Sequence, residues 1–183
     1  LRLRALSCAT GMTASEIRAN PQAAKDIAEQ VGYHNIIFVS MSPGSPRQIE
    51  ALVERYKAKW FIVDQLRHLA VSSDTRTNQL EAAANAIRNI GKRYDAIAID
   101  VTQAGDSAQG KAVLDMGDVD SSNTGIPGAC DVLLGIGATD QQVAQGIRVL
   151  SLSKNKIGGV HDSFPVRFNP SISKYVSAKE LGY

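Results

Sequence analysis

WFIVDQL at residues 60–66 and AIAIDVTQ at residues 96–103 decide the fold. Each is a short apolar run ending on a polar residue, the pattern of a strand buried on both faces. Between them a polar loop through residue 78 leads into Leu80, Ala83, Ala84, Ile87 and Ile90, which recur at helical spacing. Strand, loop, helix, strand is the unit of a parallel sheet. Upstream, Asn20 caps and Pro21 opens a helix carrying Ala23, Ala24, Ile27, Ala28 and Val31 and ending at Gly32. IIFV at 36–39 reads as another buried strand, and SPGSP turns the chain. Ser45, Pro46 and Gln48 then form a capping box ahead of Ile49, Leu52, Val53 and Tyr56. Downstream, a stretch with five glycines (AGDSAQGKAVLDMGDVDSSNTGIPG) separates AIAIDVTQ from DVLLGIGA at 131–138. TDQQVAQG reads as a short helix or turn, RVLSLSKNK as a strand, and SFPVRF as a last strand after a Gly-Gly turn. The fold class is α/β, with a mostly parallel sheet, helices on both faces and antiparallel strands at the carboxyl end.

The chain has 183 residues, 44% hydrophobic and 21% charged, and reads as a single domain over residues 1–183. That balance excludes a disordered, collagen-like or coiled-coil chain. Twenty Lys and Arg against eighteen Asp and Glu leave a formal charge of +2, so any contact with nucleic acid must be local. No run of about 18 apolar residues occurs, and LRLRALSCATG lacks the apolar stretch of a signal peptide; no membrane contact and a cytoplasmic location are expected. Cys8 and Cys130 have neither metal-site nor redox-pair spacing, and His34, His68 and His161 show no paired spacing.

Four residues have the chemistry and placement of a phosphate site. Asp64 ends its strand, and the carboxyl ends of strands in open α/β sheets line the ligand crevice, where a carboxylate holds hydrated Mg²⁺. Four hydrophobic residues followed by Asp is also the Walker B pattern; the alternative role is a loop cap. Gln103 ends the next strand, where an amide can orient an attacking water or sense a γ-phosphate. Lys154 and Lys156, in KNKIGG, fall on one face of their strand and can reach one phosphate cluster together, or else protect an exposed edge.

FIVDQLRHL, the loop with DTRTNQLE, the long helix, AIAIDVTQ, CDVLLGIG and LSLSKNKIGG together resemble the RecA-like ATPase core of hexameric replicative DNA helicases, the DnaB type and phage primase-helicases. The resemblance covers most of the chain. It implies that Asp64 supports Mg²⁺, that Gln103 couples the γ-phosphate of ATP to DNA contacts, and that Lys154 and Lys156 reach the ATP of a neighbouring subunit. Lys156 stands where that family usually has arginine, which keeps the charge and loses the bidentate fork. The resemblance also implies two loops facing single-stranded DNA, at residues 67–78 and 104–122, with Arg76 and Lys111 as phosphate contacts, and a bacterial or phage-infected host.

No GxxxxGK[ST] occurs in the chain. In the resembled family that loop, its strand and the catalytic glutamate precede the segment matching residue 1. Together with the absence of an initiator Met, this leads us to expect a fragment that binds ATP poorly and hydrolyses it negligibly, since phosphoryl transfer depends on positioning and charge stabilisation. Because the P-loop strand of that family lies beside the strand matching AIAIDVTQ, the fragment is expected to expose strand edges and to self-associate. Two alternatives share parts of the pattern: a recombinase or KaiC-type ATPase core, and a non-catalytic nucleic-acid-binding or assembly module. A Rossmann dehydrogenase is set aside because GIGATD lacks the third glycine and comes too late in the chain.

Overall fold

The computed structural model describes residues 1–41, 43–120 and 124–177. Ser42 of the SPGSP turn, and Ser121 and Ser122 at the end of the second loop, lie outside the described residues. The chain forms two compact units, one from residues 1–40, 138–149 and 164 onward, the other from residues 41–137 and 150–163.

The first unit begins with three helices, α1 (Arg2–Thr10), α2 (Ala14–Ala19) and α3 (Pro21–Gln30). Asn20 caps α3 as expected, its side-chain oxygen accepting from the Ala23 N–H at 3.2 Å. A capping box of Thr13 and Glu16 starts α2, a helix that the apolar periodicity did not reveal. Residues 36–39 correct an expectation. IIFV is extended but enters no ladder, and Ile37 and Val39 are exposed. It pairs with no described strand, and apolar composition alone does not make a ladder.

In the second unit, α4 (Pro46–Tyr56) starts at the Ser45/Gln48 capping box, followed by β1 (Trp60–Asp64), α5 (Arg76–Arg93) and β2 (Ile97–Val101). The strands β1 and β2 are parallel, with Trp60 beside Ile97, Ile62 beside Ile99 and Asp64 beside Val101. Leu80, Ala83, Ala84, Ile87 and Ile90 are all buried, and they form the centre of a core with Ile49, Val53 and Val63. Phe61 and Ala98 pack against it from β1 and β2. Gly91 permits the close approach of α5 to β2: a Cβ there would lie 2.9 Å from the Ala96 carbonyl oxygen. Inside the glycine-rich stretch a short helix, α6 (Gly125–Ala129), packs on α5 and buries Ile126 and Ala129.

The other strands are β3 (Val132–Gly137), β4 (Ile147–Asn155), β5 (Ser163–Asn169) and β6 (Lys174–Ser177), in the order β3-β4-β5-β6; a short helix, α7 (Asp140–Ala144), precedes β4. β6 was not anticipated. It pairs antiparallel with β5, and Phe168 and Tyr175 stack across the pair with ring centroids 4.8 Å apart. The expected β2 is present, but it is not buried as expected. Among the described residues its only ladder partner is β1, while β3 pairs only with β4, so each has one free edge. The consequence is exposure of Ile97, Ile99 and Val101 on β2, and of Val132, Leu134 and Ile136 on β3.

Candidate functional site

Parallel register brings Asp64 and Gln103 to one end of the sheet. Asp64 stands beside Val101, and Gln103 follows two residues later, so both leave the carboxyl ends of adjacent strands. Both are exposed. Directly after Asp64, Gln65 has φ 71° and ψ 97°, on the left-handed side that non-glycine residues rarely occupy. That turn swings the chain off β1 into one turn of 3₁₀ helix, Leu66–His68. Leu66 and Leu69 are buried on either side of it and fix the backbone, while Arg67 and His68 project outward. The Arg67 guanidinium donates a hydrogen bond to the side-chain oxygen of Gln103. Arg67 was not anticipated; its place three residues after the strand-end Asp was the available signal.

Arg67, His68, Ser73, Thr75 and Arg76 line an open groove of about 470 Å³, with Asp74 also on its wall. Its floor is the start of α5, where the Thr75 hydroxyl caps the helix by accepting from the Asn78 N–H. Arg76 faces Asp120 at 3.7 Å, a partly exposed pair of little energetic weight.

The loop after Gln103 is strapped down at several points. The Asp120 N–H donates to the Gln103 carbonyl at 3.1 Å, and the Gly105 N–H to the Asp118 carbonyl at 2.8 Å. The Asp118 side chain is 3% exposed. Its carboxylate accepts from the Lys111 ammonium at 2.7 Å, the Ser107 hydroxyl at 3.0 Å and the Asp115 N–H at 3.0 Å. Lys111 above all holds this carboxyl below its usual range, with the Asp115 amide next. Lys111 is raised in turn by the same bond. Leu114 exchanges both backbone groups with the Ser151 hydroxyl of β4, at 3.2 and 2.9 Å. Of the two expected loop cations, Arg76 therefore opens on the groove and Lys111 is engaged within its own loop.

Lys154 and Lys156 are gathered elsewhere. The Lys154 ammonium donates to the Pro127 carbonyl, and burial lowers its pKa, with Lys156 close enough to add to the effect. The Lys156 ammonium lies 3.7 Å from the Asp131 carboxylate, which also accepts from Arg88 at 2.9 Å. Arg88 is three turns beyond Arg76 on α5, on the order of 18 Å along the axis. Within one chain the lysines thus lie toward the Arg88 part of α5, away from the Arg76 end that floors the groove. Cys130, beside Lys154, has its thiol pushed up by burial. Among the described residues no cluster of three or more His, Cys, Asp or Glu has metal-binding geometry, so Asp64 is not part of an all-protein metal cage. That still fits Mg²⁺ carried on a nucleotide, which takes one or two carboxylates and completes its shell with phosphate and water.

Two solved structures superpose on nearly the whole chain. One is a DnaB-like replicative helicase described with its interactions with primase, at a TM-score of 0.80 and 16% identity over 96% of this chain. The chain shares the fold of the matched part of that protein. The other is an ATPase domain, at a TM-score of 0.77 and 16% identity over 95% of this chain. The chain spans 48% of the length of the first and 68% of the second. No family model matches the sequence, and no curated protein matches it. No described helix is long and apolar enough to cross a membrane.

Proposed function

We propose that this chain is part of an ATP-driven replicative DNA helicase motor, carrying the strand-end acid, the γ-phosphate-sensing amide and the trans-acting lysines, and lacking a phosphate loop. The observation that carries the reading is the register of β1 and β2, which sets Asp64 and Gln103 on neighbouring strand ends. In this reading Asp64 holds the Mg²⁺ of ATP, which neutralises charge on the phosphates. Gln103 reads the γ-phosphate and relates it to the groove through Arg67. The distance along α5 between the groove side and the lysines supports action in trans, with Lys154 and Lys156 serving the ATP of a neighbouring copy in a ring.

The phosphate loop is supplied by polypeptide outside these 183 residues. The free edges of β2 and β3, and the apolar residues exposed along both, support the docking of one more strand and its helix there. The groove takes the backbone of single-stranded DNA. Arg76 is its clearest cation, and Lys111 shapes the neighbouring loop.

Two measurements test the reading. Steady-state assays of the purified chain should show negligible ATP turnover, and fluorescence anisotropy should show salt-sensitive binding of oligo-dT that weakens in Arg76→Ala. Rapid ATP hydrolysis by the chain alone would overturn the assignment, since its sequence contains no GxxxxGK[ST] loop.

A further inference from the structure

Arg67 is one side chain serving two places. It lines the groove with His68 and Arg76, and it bonds the Gln103 side-chain oxygen. The backbones of both residues are fixed: Leu66 and Leu69 are buried around Arg67, and the Gln103 carbonyl accepts from the Asp120 N–H. Only the two side chains are left to move. A guanidinium bound to a neutral amide oxygen makes an ordinary charge-assisted bond. A phosphodiester offers it a full negative charge and two acceptor oxygens in fork geometry, which is the stronger partnership.

We infer that Arg67 is a positioning residue that latches the Gln103 amide while the groove is empty and releases it when a phosphodiester enters. The inference rests on the nucleic-acid reading of the groove and adds the route by which occupancy reaches Gln103. Phosphate in the groove draws the guanidinium away, and the freed amide turns toward the strand end where Asp64 stands. No loop movement is required, because the strapped backbone of residues 103–120 stays in place. Arg76 leaves a cation in the groove without Arg67, so removal of Arg67 unlatches Gln103 without abolishing binding.

The test uses the full 183-residue chain labelled with ¹⁵N, with the side-chain NH₂ resonances of Gln103 identified by their loss in Gln103→Glu. The probe is oligo-dT of about 15 nucleotides, within the span such sites cover. In the wild-type chain, saturating oligo-dT should move the Gln103 resonances toward the positions they hold in unliganded Arg67→Ala. In Arg67→Ala the oligonucleotide should still bind, several-fold more weakly, and leave those resonances where they are. Arg67→Lys, which keeps charge without the fork, should show a partial shift. Oligo-dT that binds the wild-type chain without moving Gln103, or Gln103 resonances identical in wild type and Arg67→Ala, would overturn the latch alone. No binding by wild type at low salt, with Gln103 still displaced in Arg67→Ala, would overturn the groove reading and the release step and leave only the contact.

Discussion

Ile62 of β1 and Ile99 of β2 stand side by side in register on the face of their sheet turned away from Phe61, Val63 and Ala98, which pack on or in the core. Trp60, Ile97 and Val101 share that outward face, and all five side chains are at least 40% exposed. Contiguous exposed apolar residues of this kind mark a surface of association. It adjoins an edge that carries neither Lys nor Pro to discourage pairing. A net charge of +2 gives two copies little reason to stay apart. The chain should therefore self-associate as its concentration rises. Multi-angle light scattering should show Ile99→Lys shifted toward monomer at concentrations where wild type is oligomeric, with far-UV circular dichroism unchanged. A wild-type chain that stays monomeric throughout would refute this.

Lys111 and Arg76 should separate in their effects. Arg76 opens on the groove, so Arg76→Ala should lower the salt slope of oligonucleotide binding by about 0.7, the value for one phosphate contact on single strands. Lys111 is held by a carboxylate that is 3% exposed. Lys111→Ala should leave that slope unchanged and lower Tm, because it leaves Asp118 with two hydrogen bonds and no counter-charge. Asp118 is also acid-sensitive. Its folded pKa is depressed, so its stabilising effect is present above the ordinary carboxylate range and is lost as pH falls through the folded value. Amide exchange over residues 104–120 should rise in acid before the core opens.

Local chemistry made much of this fold legible. The caps at Asn20 and Ser45 and the buried face of α5 need only neighbours within a few residues, and they stand where the sequence places them. Asp64 and Gln103 were legible as strand ends for the same reason. What failed depends on partners distant in sequence. IIFV has the composition of a strand and joins no described ladder, and β2 has the composition of a buried strand and one neighbour. Arg67 was illegible because its contact spans 36 residues and is set by the turn at Gln65. Lys111 looked free because Asp118, its partner, is buried only once the loop closes.

Gly137 marks where that loop meets the end of β3. A Cβ at this position would lie 2.4 Å from the Ala112 carbonyl oxygen and 2.6 Å from that of Lys111, both backbone atoms that cannot rotate aside. Gly137→Ala must push the loop outward or shift β3. The expected cost is about 1–3 kcal/mol, the usual range for overpacking, read by urea denaturation with m unchanged. Gly128→Ala, where a Cβ would meet nothing within 4 Å, is the control for lost glycine flexibility. Equal midpoints for the two variants would show that the close approach carries no energy.

Asp100 gives the chain a pH dependence opposite in sign to that of Asp118. Lying on β2 between Ile99 and Val101, it is crowded by protein although more than a third of its surface still reaches solvent. Dehydration raises its pKa from the ordinary 3.8 to about 7. Between those values the folded chain holds a proton that the unfolded chain has lost. Stability from this group is therefore full below about pH 4, falls as pH rises toward 7, and is flat above. Solvent access reduces the effect from the several kcal/mol of an unscreened shift to on the order of 1–2 kcal/mol. Asp100→Asn fixes the side chain in a neutral, nearly isosteric form, so it should raise Tm at pH 8 by several degrees and leave it almost unchanged at pH 4. Thermal melts of both chains across that range decide the matter: parallel curves would mean that the carboxylate on β2 is as well hydrated as one in water.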